Sequence, residues 1–305
     1  MERRYRIKKN GELMKISEII KNNERTFSVE VFPPKKKDGF ETIKNAISEI
    51  AKMKPSFMSV TYGAGGGTSE FTQQIAKSIY EKHGVSSIAH LTCVSSSKDT
   101  VKQRISELYG LGIENILALR GDIPPEMMNC DSSRLYYTHA LDLIDEIKKS
   151  GYDFCIGGAC YPECHPESTS EKDDLFFIKE KAERGCEFFT TQMFFDNNLY
   201  YSFVEKLSKI GVNTPVIAGI MPLTAKKQVE RSVELSGSYI PAEFLKLVEE
   251  YGDDAEKMKE IGTEFAIKQI RSLYENGVKN IHLYSMNKPE TARIIKDAVC
   301  DLCTL

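Results

Sequence analysis

A closed parallel (β/α)8 barrel, the TIM-barrel form of the α/β class, is the fold this sequence predicts. Apolar, β-rich runs alternate with helix-period segments along almost the whole chain. Six of those runs end in a polar signature, and a parallel barrel gathers strand ends on one face, where its sites are built. The length of 305 residues suits an α/β barrel as one domain, 1–305.

The segment up to about residue 20 reads as a helical or flexible extension, because MERRYRIKKN is polar and basic. Strands are expected over Phe27 to Phe32, Phe57 to Tyr62, Ser87 to Cys93, Ile116 to Leu119, Phe154 to Tyr161, Phe188 to Phe195, Pro215 to Met221 and Ile281 to Met286. Amphipathic helices are expected over Phe40 to Met53, Phe71 to His83, Thr100 to Leu111 and Leu135 to Lys149. Leu175 to Arg184, Tyr200 to Ile210, Thr263 to Asn276 and Pro289 to Cys300 continue the series. The interval from Met221 to Ile281 is too long for one crossover and breaks near Ser236-Gly237-Ser238 and Pro241. It predicts extra helices between strands 7 and 8, where insertions commonly shape a barrel's site. An open doubly wound sheet shares the alternation, and periodicity alone leaves both standing.

A net charge of −3 and a pI near 6.1 exclude a nucleic-acid surface, which needs clustered Lys and Arg. Lys35-Lys36-Lys37 reads as a solvated loop. No apolar run approaches the ~20 residues that span a bilayer, and the basic N-terminus lacks a signal peptide's apolar core, so no membrane and a cytoplasmic location are expected. The eight cysteines read as free thiols. The Cys155, Cys160, Cys164, His165 cluster fits no usual zinc spacing, and Cys300/Cys303 is a lone pair, so no metal is expected.

Glu30 sits in the apolar run FSVEVFPP, where alternation with Ser28 and Phe32 aims it into the barrel mouth. Apolar neighbours disfavour a carboxylate's charge, which suits a general acid. Asp122 follows a strand and Arg120-Gly121; Gly121 permits close backbone approach, and Arg120 is expected to partner Asp122 or a cofactor. Gly63 to Thr68 fits neither the dinucleotide nor the P-loop spacing. Thr61-Tyr62, His90 and Tyr161 to His165 mark further strand ends. Gln192 offers a donor and an acceptor together, as the edge of a heterocycle requires.

FSVEVFPP, SVTYGAGGG, HLTC, ALRGD, YPECHPE, TTQMFFD, PVIAGIMP and HLYSMNKPE occur in that order. Together they resemble the flavin-dependent methylenetetrahydrofolate reductase family, from about Phe27 to about Ala298. The resemblance implies a flavin at the carboxyl end of the barrel (FAD by family, FMN the alternative) and hydride transfer to methylenetetrahydrofolate, giving methyltetrahydrofolate. It implies Glu30 as the general acid that opens the imidazolidine ring and Asp122 as the acid near pterin and flavin. Gln192 matches the folate-contacting amide, and Lys288 stands where the family often has Arg for the folate tail. Thr61, Tyr62, His90, Arg120, Gly121, Asp122, Tyr161, His165 and Lys181 match flavin-contacting positions.

Three positions depart from the family pattern. Lys226 stands where bacterial relatives carry a Phe that stacks on nicotinamide or folate. Phe177 replaces a polar residue and Glu180 a basic one on the helix that approaches the cofactor's distal phosphate. Electrons are expected from NADH or, given Lys226, from a partner electron-transfer protein, the chain then working in an oligomer or hetero-complex. A noncatalytic flavin- or folate-binding barrel is the contrasting reading, opposed by the Glu30 and Asp122 pair.

Overall fold

The computed structural model describes residues 14–34, 39–62, 69–123 and 136–303. The Lys35 to Lys37 run, the Gly63 to Thr68 loop, the first ten residues and the Cys303 side chain, singled out in the sequence, lie outside the described residues.

Eight parallel strands form a closed barrel in sequence order: β1 (Thr26–Val31), β2 (Met58–Val60), β3 (Ser87–Thr92), β4 (Asn115–Leu119), β5 (Cys155–Cys160), β6 (Phe188–Thr191), β7 (Val216–Ile220) and β8 (Asn280–Tyr284). Pairing of β1 with β8 closes the ring and rules out the open sheet. The crossovers are α2 (Phe40–Lys52), α3 (Ser69–His83), α4 (Lys98–Gly110), α5 (Ala140–Lys149), α6 (Glu171–Glu183) and α7 (Asn197–Lys209), preceded by α1 (Ile16–Asn22). Three helices fill the long interval between β7 and β8: α8 (Lys226–Ser236), α9 (Ala242–Tyr251) and α10 (Ala255–Glu275). The chain continues through α11 (Pro289–Ala298) and α12 (Cys300–Cys303).

Strand alternation sorts the side chains. On β1, Phe27, Val29 and Val31 join the core that packs against the helices, while Thr26, Ser28 and Glu30 share the opposite face. At the amino ends of the strands, Phe57, Ile88, Leu117, Cys155, Phe188 and Ile217 make an apolar floor that Ile16, Ile19 and Ile20 of α1 cover. Each such isoleucine contributes roughly 1.5–3 kcal/mol. Phe188 fills that floor because β5 has glycine beside it: a Cβ on Gly157 would lie 2.3 Å from the Phe188 ring.

Some boundaries differ from the sequence expectation. α5 begins at Ala140, not at Leu135, because the Asp142 carboxylate accepts the Thr138 and His139 N–H groups and starts the helix there. α10 begins at Ala255 behind the Asp254 N-cap, eight residues ahead of the expected start at Thr263. Strand β6 stops at Thr191, so Gln192 to Phe195 form a loop. A third apolar cluster seats the α8–α10 insertion on the barrel, with Phe195 and Leu223 meeting Val229, Ile240, Phe244 and Met258.

Candidate functional site

The register of β1 against β8 and β2 sets an ordered polar layer inside the barrel. Thr26 pairs with Asn280, Ser28 with His282, and Glu30 with both Ser59 and Tyr284. The Ser28 hydroxyl donates to the Ile281 carbonyl at 2.9 Å and lies 2.7 Å from His282 Nδ1, while Ser59 Oγ lies 3.1 Å from His282 Nε2. With Ser28 donating to Ile281, His282 Nδ1 carries the proton it shares with Ser28, while the single Ser59 proton serves either His282 Nε2 or Glu30 Oε2. Glu30 Oε2 stands 3.4 Å from Ser59 Oγ, 3.6 Å from His90 Nε2 and 3.8 Å from His282 Nε2.

These surroundings correct the apolar setting expected for Glu30. Its strand is apolar toward the helices, but the face bearing the carboxylate is polar. Burial drives the His90 imidazole down to about 4, so it is neutral at physiological pH even beside Glu30. Burial also pushes the Tyr284 hydroxyl well above its ordinary range, with Glu30 adding to the effect.

Outside this layer a cavity of about 570 Å³ opens between the carboxyl ends of β3 to β5 and helix α6. Of the expected cofactor positions, Tyr62, Arg120, Gly121, Asp122, Tyr161, His165 and Lys181 line it. Thr61 and His90 do not: the Thr61 carbonyl accepts from Thr72 Oγ1 at 2.8 Å, and His90 is drawn inward toward Glu30. Ala118 and Ala159 put only small side chains on the strand side of the cavity. Gly121 adopts φ +85°, and a Cβ there would meet Thr92 at 2.9 Å, so glycine alone lets this turn close against β3.

Arg120 pairs with Glu167, not with Asp122. Its guanidinium grips the Glu167 carboxylate with two nitrogens, Nη2 at 2.6 Å from Oε1. The Glu167 backbone N–H in turn donates to His165 Nδ1 at 3.1 Å. Lys181 donates to the Ala159 carbonyl at 2.6 Å, and burial lowers its pKa. Burial raises the Tyr161 hydroxyl, Gln192 hydrogen-bonds it, and Asp122 acts on it through space. Tyr284 donates to the Thr191 carbonyl at 2.5 Å, and the next residue, Gln192, bonds Tyr161, so the Glu30 layer and the cavity adjoin through Tyr284, Gln192 and Tyr161.

Gln192 lies on the far side of Tyr161, its Oε1 accepting from the Met193 N–H at 3.0 Å. Lys288, the N-cap residue of α11, donates to Thr224 Oγ1 at 2.9 Å toward the β7 side of the mouth. Lys226 opens α8 and pairs with Asp253 at 3.1 Å. Phe177 lines the cavity and stacks on His139 with centroids 4.8 Å apart, whereas Glu180 pairs with Arg184 at 3.3 Å.

Sequence reasoning missed His282, Ser59, Tyr284 and Glu167 as members of this region. The signal for His282 and Tyr284 was a second polar alternation, Asn280, His282, Tyr284, matching Thr26, Ser28, Glu30. Among the described residues, no group of three or more His, Cys, Asp or Glu could hold a metal ion, and no helix is long and apolar enough to cross a membrane.

The family model described as methylenetetrahydrofolate reductase matches residues 15–299. The chain belongs to the methylenetetrahydrofolate reductase family. The 5,10-methylenetetrahydrofolate reductase of Escherichia coli is 34% identical over 268 residues, covering 88% of each chain. Methylenetetrahydrofolate reductase (NADH) 1 of Arabidopsis thaliana is 32% identical over 288 residues, 91% of this chain and 49% of the plant protein. Among solved structures, an uncharacterised Clostridium thermocellum protein that binds two copies of 5-methyl-5,6,7,8-tetrahydrofolic acid shares the fold, with a TM-score of 0.64 at 15% identity over 93% of this chain and 98% of its own. Membership makes the protein an oxidoreductase of folate one-carbon chemistry and sets aside the noncatalytic barrel. The family is generally flavin-dependent.

Proposed function

We propose that the chain reduces methylenetetrahydrofolate to methyltetrahydrofolate with a hydride from reduced flavin, Glu30 serving as general acid. The observation that carries this reading is the placement of Glu30, a carboxylate inside the barrel mouth beside Ser59, His90 and His282, adjoining a cavity that Asp122 lines.

The cavity fits the flavin the family implies. Its volume of about 570 Å³ lies within the ~300–1,000 Å³ usual for cofactor pockets. Arg120, released from Glu167, would face the cofactor's anionic portions; Lys181, bonded to the Ala159 carbonyl, adds positive charge behind the wall, and the rings of Tyr161 and His165 would face its body. Bound and reduced, the flavin supplies the hydride.

The chain's own residues supply the rest. The proton of Glu30 goes to the folate nitrogen whose bond to the bridging methylene breaks, opening the imidazolidine ring to a cationic iminium. The Asp122 carboxylate offsets that positive charge. The hydride then adds to the methylene carbon, which becomes the methyl group. Gln192 would pair with the pterin edge and Lys288 with the carboxylates of the tail. Two carboxylates in different settings thus divide acid and anion roles.

The purified protein is expected to show a flavin absorption spectrum, and chromatography of the released cofactor distinguishes FAD, the family's form, from FMN. After chemical reduction, mixing with methylenetetrahydrofolate should reoxidise the flavin and yield methyltetrahydrofolate. Absence of either event overturns the reading.

The electron donor admits a second reading. Lys226, where a stacking aromatic is expected for NADH, is directed to Asp253. That favours reduction by a partner electron-transfer protein within a hetero-complex.

A further inference from the structure

We infer that Glu163 is a positioning residue, a clasp that ties the α8–α10 insertion to the loop after β5 and so sets the folate half of the mouth against the cofactor half. The inference rests on the function proposed above for the naming of those halves; the clasp itself stands on contacts.

Glu163 lies two residues after Tyr161 and two before His165, both of which line the cavity. Its carboxylate is bonded on the side of the insertion. Oε1 accepts the Tyr239 backbone N–H at 2.7 Å, a bond between residues 76 apart in sequence. Ser238 also hydrogen-bonds the carboxylate. Burial pushes the carboxyl above its ordinary range, and these two bonds pull it back. A half-buried acid with both bonds directed at one turn is a fixed point between two loops.

The same turn reaches the folate side. Ser238 is buried, and its hydroxyl shares its one proton between the Glu163 carboxylate and the Met193 carbonyl 3.4 Å away, next to Gln192. Ser232 of α8 contacts the Met193 sulfur at 3.7 Å. One corner, Ser238-Tyr239, therefore meets the loop bearing Tyr161 and His165 and the loop bearing Gln192. Gln192 adjoins Met193, whereas Tyr161 and His165 lie two residues from Glu163, so a shift of the corner reaches the proposed folate amide through one residue and the cavity lining through two. The apolar cluster under α8 and α9 holds the insertion onto the barrel. Apolar contact is non-directional and leaves the turn's position to the polar bonds.

The test compares Glu163→Ala, Glu163→Gln and Ser238→Ala in the flavin-loaded protein. Glu163→Ala should raise the KM for methylenetetrahydrofolate about tenfold, the usual effect of deleting one charged hydrogen-bond partner, with kcat and flavin affinity little changed. Amide hydrogen exchange across residues 232–245 should quicken by a similar factor, about tenfold. Glu163→Gln should recover most of both effects, because its amide oxygen still accepts from Tyr239. Ser238→Ala, a mild change, should show the same pattern at smaller size and keeps the test open should Glu163→Ala not fold.

Unchanged exchange in 232–245 in the variants overturns the clasp. So does a loss of flavin affinity equal to the rise in KM, because Glu163 would then act on the cavity. If the wild-type protein binds no flavin and reduces no folate, the function proposed above fails, and the exchange measurement still decides the clasp.

Discussion

The Glu30 carboxylate and the buried His90 imidazole face each other at 3.6 Å, and His90 Nε2 has no hydrogen-bond partner among the described residues. A buried imidazole nitrogen in this state carries the desolvation cost of an unmade hydrogen bond. The approach brings the strand ends of β1 and β3 together inside the barrel.

Replacing Glu30 by Gln should abolish folate reduction while sparing reduction of the flavin. Glutamine keeps the size and the contact with Ser59 but has no acidic proton to open the ring. Loss of a general acid lowers the rate by about 10²- to 10⁴-fold. Stopped-flow measurement of each half-reaction separates the two. Near-normal reoxidation of reduced flavin by methylenetetrahydrofolate would remove Glu30 from the mechanism.

His90 should leave a mark on stability as well. Its folded-state pKa of about 4 lies below the ~6.5 of an unfolded chain. Below pH ~6.5 the unfolded state therefore takes up a proton that the native state refuses. Stability contributed by the neutral native imidazole is lost as pH falls from about 6.5 toward 4, by on the order of 3 kcal/mol in full. Denaturant titrations at about pH 7 and about pH 4.5 should show a smaller loss for His90→Gln than for wild type. Equal losses would mean that His90 takes up its proton in the native state as readily as in the unfolded one.

Asp122→Asn should slow the folate half-reaction and raise the flavin reduction potential. Asp122 lines the cavity beside Arg120, and removing its charge makes a reduced, more anionic cofactor easier to reach. A shift on the order of 30 mV corresponds to the ~1.4 kcal/mol expected of one partly screened charge. Potentiometric titration giving an unchanged or lower potential would place Asp122 away from the cofactor.

The barrel was legible because its signals are local: apolar runs of strand length, helical periods between them, and an interval of excess length where α8 to α10 now lie. Glu30, Tyr161 and Gln192 were legible because a polar side chain that closes an apolar parallel strand sits at the barrel mouth. His282 was not, since the β8 run stands out by its apolar members, and the Ser28–His282 contact depends on a register between strands 254 residues apart. Chain proximity couples Arg120 to Asp122, yet its partner Glu167 comes from the loop after β5. Proximity along the chain is a poor guide where several loops converge on one mouth. The start of α5 was hidden because Asp142 fixes it only after the apolar Leu135 to Tyr137 run, and that of α10 because the Asp254 cap sets it four residues ahead of its first buried apolar residue, Met258.

The electron donor yields the last prediction. A nicotinamide ring needs an apolar or aromatic platform, and the position for which the family resemblance implies one is Lys226 here. Its ammonium pairs with Asp253 at 3.1 Å, and Gly252 packs against its methylenes, where a Cβ would come within 3.0 Å of Cδ. The side chain thus leans on the turn between α9 and α10 through an exposed ion pair, which contributes little. Stacking contributes about 0.5–1.5 kcal/mol beyond buried area, and in the proposed mechanism NADH would compete with folate for one flavin face. The isolated chain should therefore be bleached slowly by NADH under anaerobic conditions, yet pass hydride to methylenetetrahydrofolate once dithionite has reduced its flavin. Lys226→Phe should speed the NADH step by up to about tenfold, the kinetic equivalent of that stacking, and leave the dithionite-primed step unchanged. Rapid bleaching of the wild-type flavin by micromolar NADH would sink the partner-protein reading and make the chain a stand-alone NADH-dependent reductase.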